Sequence, residues 1–268
     1  MPSKKAVLGW VLVSYFLIAG GVALAAVALA LFAEVGRTTS DAVFFLGALI
    51  GGVFAGRASR HKAVAEPAVA ALLVVGTLIA IFTIGLGREF SWTADEGLLP
   101  VPVQLGLIAG LGGLVGGLIG RRSRTAGSVD SAMRWWGIAT LINLGATFML
   151  VTLTMALALR GDGDSDDGVG AIFLGLGLAW LISGFVSQAI MPRKMLWVAG
   201  AGSIGIVLLG VAFSASRGDL QPSATIGAAF LWGIGTLVGA LGAAFGWKLI
   251  ASRVVHPAAD VPEARLHS

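Results

Sequence analysis

The sequence predicts an all-α polytopic integral membrane protein, with eight transmembrane helices arranged as two parallel four-helix repeats. Three observations predict it. Eight apolar stretches reach bilayer-crossing length without a charged residue, the basic residues collect on alternate connections, and the second half repeats the order of the first. A soluble domain carries about 25 % charged residues. This chain carries 12 %, with 57 % hydrophobic residues and a mean hydropathy of +0.92. In lipid the outer surface must be apolar, and each backbone polar group must be satisfied within the segment, which a helix of about 20 residues achieves. The alternating ten-residue strands of a membrane barrel are absent.

The spans follow in order. The first, Ala6–Phe32, begins after two lysines. Its Ala28-Leu29-Ala30 resembles a signal-peptidase site, but the apolar run exceeds the 7–15 residues of a signal core, so it reads as a retained helix. The second, Ala42–Gly56, is the shortest and is expected to extend into its flanks before Arg57. The third, Pro67–Gly87, and the fourth, Val101–Gly120, start at prolines, and the fourth ends on Arg121, Arg122 and Arg124. Then come Trp135–Leu159, Val169–Met191, Met195–Ser216 and Ser223–Trp247. Pro67, Pro100, Pro102, Pro192 and Pro222 all flank spans, which disfavours proline-broken helices and leaves a glycine-based break open.

Orientation follows from charge. With the N-terminus in the cytoplasm, 14 of 18 Lys and Arg fall on cytoplasmic segments, and only Arg37, Arg88, Arg160 and Arg217 lie outside. The positive-inside rule then places both termini in the cytoplasm and the chain in the cytoplasmic (inner) membrane. Trp10, Trp135, Trp136, Trp197 and Trp247 fall at cytoplasmic helix ends, at headgroup level. Trp180 and Trp232 lie inside spans and are expected to pack between helices. The sequence pI near 10.0 is thus a matter of topology, and no nucleic acid is implied.

Residues 1–126 and 127–254 read as two copies of one four-helix unit, and 255–268 as a short cytoplasmic tail. The best matches are Gly112–Leu118 with Gly235–Leu241, Phe45-Leu-Gly47 with Phe173-Leu-Gly175, and Trp10 with Trp136. An even number of spans per copy gives both copies the same orientation. The forty glycines concentrate at small-x-x-x-small spacing, as in Gly112/Gly116/Gly120 and Gly235/Gly239. Such rows let helix backbones approach where lipid supplies no hydrophobic drive. They serve packing within the chain, or else one seam is left for other membrane proteins or a second copy.

The chemistry is sparse. With no cysteine there are no disulfides, thiolate sites or iron–sulfur clusters. His61, His256 and His267 all fall outside the spans, which argues against haem or pigment ligation, and no cofactor or metal is expected. A charge inside a span is a functional signal by default, and its absence argues against proton- or sodium-driven transport. The run Asp162-Gly-Asp-Ser-Asp-Asp-Gly168 misses the glycine and glutamate positions of an EF-hand frame and reads as a solvated outer loop. What remains is polar and neutral. Thr140, Asn143, Thr147 and Thr154 lie along one face of the fifth span, with Leu17 as the apparent first-copy counterpart of Asn143. Ser14, Tyr15, Ser187 and Gln188 are candidates to join them. Thr140, Asn143, Thr147 and Gln188 are the candidate polar path; interhelical hydrogen bonding is the simpler role for such groups.

The segment Gly47-Ala-Leu-Ile-Gly-Gly-Val-Phe-Ala-Gly-Arg57 resembles a helix end of small uncharacterised bacterial four-helix membrane proteins, here in tandem duplicate. The likeness covers one helix and its basic exit, and the second copy departs from it at residues 183–188. It implies the four-helix unit and carries no activity across. The leading functional expectation is a non-enzymatic structural or assembly partner in the membrane, in contact with lipid. The alternative is a transporter or facilitator subunit for a small neutral or apolar solute, with its path at the repeat interface.

Overall fold

The apolar stretches fold as helices whose ends overrun the apolar limits read from the sequence by a few residues. The structure, a computed structural model, describes residues 4–32, 37–58, 65–85, 99–122, 132–160, 165–190, 196–205, 207, 210, 211 and 222–246. The elements are α1 (Lys4–Phe32), α2 (Arg37–Ala58), α3 (Ala65–Ala80), α4 (Val101–Arg122), α5 (Ala132–Arg160), α6 (Ser165–Ile190), α7 (Leu196–Ala201) and α8 (Pro222–Gly246). A single π turn, Ile81–Gly85, continues α3. All except α7 contain a stretch long and apolar enough to cross a membrane, which makes seven such helices among the described residues.

Helix starts follow local chemistry. Pro222 opens α8, where its missing N–H costs nothing. The Pro100 carbonyl accepts from the amides of Val103 (2.9 Å) and Gln104 (3.0 Å), closing the first turn of α4. α2 begins five residues before the apolar stretch, and α6 takes Asp166 and Asp167 into its first turn, where the helix dipole favours acids. Those two aspartates therefore belong to a helix end, while Asp162 and Asp164 lie outside the described residues, as do His61, His256, His267 and the tail.

The seventh stretch differs from expectation. Met195–Ser216 does not form one regular helix. After Ala201, Gly202 and Ser203 form a turn before helical geometry resumes at Ile204. The hydrogen bonds tighten there from four residues to three, with Ser203 N donating to Gly200 O (3.2 Å) and Gly205 N to Gly202 O (3.3 Å). The Trp136 indole N–H caps the Ala201 carbonyl at 3.3 Å. The break is made by glycine, not proline.

The helices sort their faces by size. On α4, Gly106, Ala109, Gly112, Gly113, Gly116, Gly117 and Gly120 are buried, while Leu107, Leu111, Leu114, Leu118 and Ile119 are exposed. A soluble helix does the opposite. Here large side chains face outward, as a lipid surround would favour, and small ones let backbones touch. α8 repeats the arrangement, with Gly235, Gly239, Gly242, Ala243 and Gly246 inside and Phe230, Leu237, Leu241 and Phe245 outside. Trp232 is 38 % exposed, so it does not pack between helices as expected; Trp180 does, at 6 %.

α1 packs on α2 and α3, α2 on α3 and α4, and α3 on α4. The same contacts join α5 to α6 and α7, α6 to α7 and α8, and α7 to α8. Between the two sets, α1 packs against α5. That crossing has no side chains at its closest points. A Cβ on Gly20 would strike the carbonyl oxygen of Leu141, and one on Gly145 would strike that of Phe16. The largest buried cluster, including Leu17, Ile138, Ile142 and Val198, forms around this centre.

A candidate site in the α5–α7 interior

Three of the buried polar residues, Ser183, Ser187 and Gln188, come from α6, one, Ser203, from the turn after α7, and two, Asn143 and Thr147, from α5. α5 and α6 run antiparallel, with Asn143 facing Ser183 at one level and Val151 and Thr154 facing Gly175 further along. That pairing carries Ser187 to the level of Ala139 and Thr140. The α7 break reaches the same level, because a Cβ on Gly202 would meet the Ala139 backbone and one on Gly205 the Thr140 side chain. From the α8 side, Gly235 lies against both Ser203 and Trp180. The tier thus contains Thr140, Asn143, Trp180, Ser183, Ser187 and Ser203.

One hydrogen bond crosses it. Asn143 Nδ2 donates to Ser183 Oγ at 2.8 Å, and Ser183 Oγ donates to its own helix at Trp180 O, 3.0 Å. The rest of the polar inventory is unsatisfied. Thr140 Oγ1, Asn143 Oδ1, Trp180 Nε1, Ser187 Oγ and Ser203 Oγ are buried without a hydrogen-bond partner among the described residues. So are Thr147 Oγ1, one turn along α5, and both side-chain polar atoms of Gln188. Asn143, Gln188 and Ser203 are each only 1 % exposed. Leaving a buried donor or acceptor unpaired costs about 1–3 kcal/mol, and hydrocarbon offers no water in exchange. By contrast Thr152 and Thr154 return their hydroxyls to Phe148 O and Leu150 O and are satisfied.

Each of the four residues of the sequence-predicted polar path therefore has at least one buried, unpaired polar atom; Asn143, Thr147 and Gln188 are buried and Thr140 is half-buried. Thr140 and Asn143 belong to the tier; Thr147 and Gln188 lie beside it along α5 and α6. Ser14 is buried on α1, and Tyr15 stacks edge-on with Phe16 at 5.3 Å and hydrogen-bonds Thr77, so neither joins the tier. Sequence reasoning missed Ser183 and Ser203. Each lies next to a glycine, where serine reads as a packing residue; the signal was serine in mid-span rather than at an end. Asn143 turns to α6, and the α1–α5 crossing is closed by backbone contact at Gly20 and Gly145.

A second feature lies between α2, α3 and α4. A cavity of about 270 Å³ is walled by Phe44, Val75, Phe82 and Leu105, with Asp41 and Gln104 at its edge. Gln104 Nε2 donates to Asp41 Oδ2 at 2.7 Å, so the carboxylate is engaged within the protein. The π turn supplies Phe82 to this wall. Among the described residues, no group of three or more His, Cys, Asp or Glu is placed to hold a metal ion. Comparisons with protein-family models, curated proteins and solved structures give no match to this chain.

Proposed function

We propose that this chain is a non-enzymatic facilitator or transporter subunit for a small neutral solute, built as two parallel four-helix repeats in the cytoplasmic membrane with both termini inside. One observation carries the functional reading. An interior free of mid-span charge keeps seven residues with unpaired polar atoms in one half: Thr140, Asn143, Thr147, Trp180, Ser187, Gln188 and Ser203. Groups that only joined helices would bond one another. Groups kept for a solute are left open, at a cost in stability. The absence of mid-span charge suits a neutral solute, since a charged one would meet no counter-charge.

The assembly reading takes its motive from a charge-free, glycine-seamed interior without site chemistry. Gly112, Gly116, Gly120, Gly239, Gly242 and Gly246 all face helices of the same chain, so these seams are used within the chain. The repeat reading draws support from the recurrent helix contacts and from glycine pairs in equivalent positions. Gly116 meets Leu49 O as Gly242 meets Leu181 O, and Gly120 meets Val53 O as Gly246 meets Phe185 O.

The test is flux. Proteoliposomes holding the purified protein are mixed with osmotic gradients of glycerol or urea and followed by stopped-flow light scattering. Solute entry faster than in empty liposomes is expected, and Asn143→Leu with Thr147→Val should remove it. Unchanged flux in a folded variant would remove this face from the path.

A further inference from the structure

The two halves pack alike but are not chemically alike, and the difference locates the site. This inference rests on the repeat and solute readings above. The glycine contacts fix the register between halves. α1 and α5 correspond at 125 residues, from the reciprocal Phe16/Gly145 and Gly20/Leu141 contacts. α2 and α6 correspond at 132, and α4 and α8 at 126: Gly52 meets Gly113 O as Gly184 meets Gly239 O. α3 and α7 follow at 132 or 133, since Gly113 meets Pro67 O as Gly239 meets the backbone of Gly200 and Ala199.

In that register Asn143 stands where the first half has Ile18, Ser183 where it has Gly51, Ser187 where it has Ala55, and Ser203 where it has Ala70 or Ala71. The same inter-helix contact exists twice. In the first half a Cβ on Gly51 would strike the Ile18 backbone; in the second, the Asn143 amide bonds Ser183. Ile18 is fully buried, and Ala55 and Ala71 nearly so. The fold therefore closes these positions tightly with apolar side chains, and packing does not require the polar ones. Among the described residues the two halves also differ in backbone here: Val69, Ala70 and Ala71 lie in regular helix, while Gly202 and Ser203 form a turn, and the first half's own irregularity is the π turn Ile81–Gly85 further along α3. Irregular backbone at membrane depth is tolerated where it is buried in protein or lines a cavity, and in transporters such broken helices form substrate sites.

We infer that the second four-helix unit alone holds a binding site, between α5, α6 and the break in α7, for a small neutral molecule carrying both hydrogen-bond donors and acceptors, such as a polyol or amide. In the first unit the positions matching Asn143, Ser183, Ser187 and Ser203 are apolar, and that unit serves as scaffold. The ligand class follows from the open valences. Asn143 Oδ1 accepts, Trp180 Nε1 donates, and the Ser187 and Ser203 hydroxyls do either.

The experiment copies the first half onto the second in the full chain: Asn143→Ile with Ser183→Gly, plus Ser187→Ala and Ser203→Ala. A control places Ala55→Ser and Ala71→Ser in the first half. The thermal midpoint in detergent and the flux of glycerol and urea are both read. The copy is expected to keep or raise its midpoint while flux falls about tenfold or more, the scale of losing one or two site hydrogen bonds; the control should keep its flux. A midpoint lowered by many degrees would mean the polar groups hold the helices together, and would overturn the inference. Flux persisting in a folded copy would overturn it equally and leave the facilitator reading standing. If the wild type passes neither probe, the transport reading fails, and a raised midpoint in the copy still supports a binding site.

Discussion

At the residue scale, a glycine in this chain matters according to what a methyl group would touch. A Cβ on Gly242 would meet the backbone carbonyl of Leu181, which cannot rotate away, whereas nothing lies within 4 Å of Gly177. Gly242→Ala should therefore destabilise by about 1–3 kcal/mol through overpacking. Gly177→Ala should stabilise by about 0.5–1 kcal/mol, because glycine is a poor helix residue. Unfolding of the two variants in detergent would show opposite shifts. The Trp136 indole cap on Ala201 is a separate case: Trp136→Phe keeps the ring but frees the carbonyl, with an expected loss of about 0.5–1.5 kcal/mol. Asn143 was legible because a carboxamide stands out among leucines; Ser203 was not, because serine between glycines has the volume of a seam residue. In the proposed repeat the sequence pairs Asn143 with Leu17, whereas the glycine contacts pair it with Ile18.

At the element scale, hydropathy located the seven described spans to within about five residues, because a bilayer-length apolar run has few alternatives to helix. The errors have a direction. α2, α5 and α6 begin before their apolar limits, where polar residues continue a helix at headgroup level without being counted as membrane. The break in α7 was invisible to hydropathy, since Gly202 and Ser203 do not lower it enough to matter. It has a measurable consequence. Short three-residue hydrogen bonds are weaker than a regular ladder, so the amides of Ser203 and Gly205 should exchange with deuterium faster than those of Gly239 and Gly242 in α8. Equal protection would show that the turn is as firmly held as the helix around it.

At the scale of the whole molecule, the chain has no cysteine, so single cysteines can report topology without background. With the N-terminus inside, Arg122→Cys should resist a membrane-impermeant maleimide in intact cells, and Asp164→Cys should react. The reverse pattern would invert the proposed orientation. The order of loops and charges was enough to suggest two similar halves, but residue matches slipped by about a turn. Gly112–Leu118 aligned with Gly235–Leu241 at 123 residues, while the helices pack at 126. A glycine repeat looks the same after a shift of three or four positions, so only the contacts distinguish the registers.

The α1–α5 crossing couples residues that are far apart in the chain. Gly20 and Gly145 lie on opposite sides of one point of closest approach, each against the other helix. An alanine at either position must push the two axes apart. Once they have separated, the second alanine enters space already opened. Gly20→Ala and Gly145→Ala should therefore be strongly sub-additive in a double-mutant cycle, the pair costing little more than the worse single change.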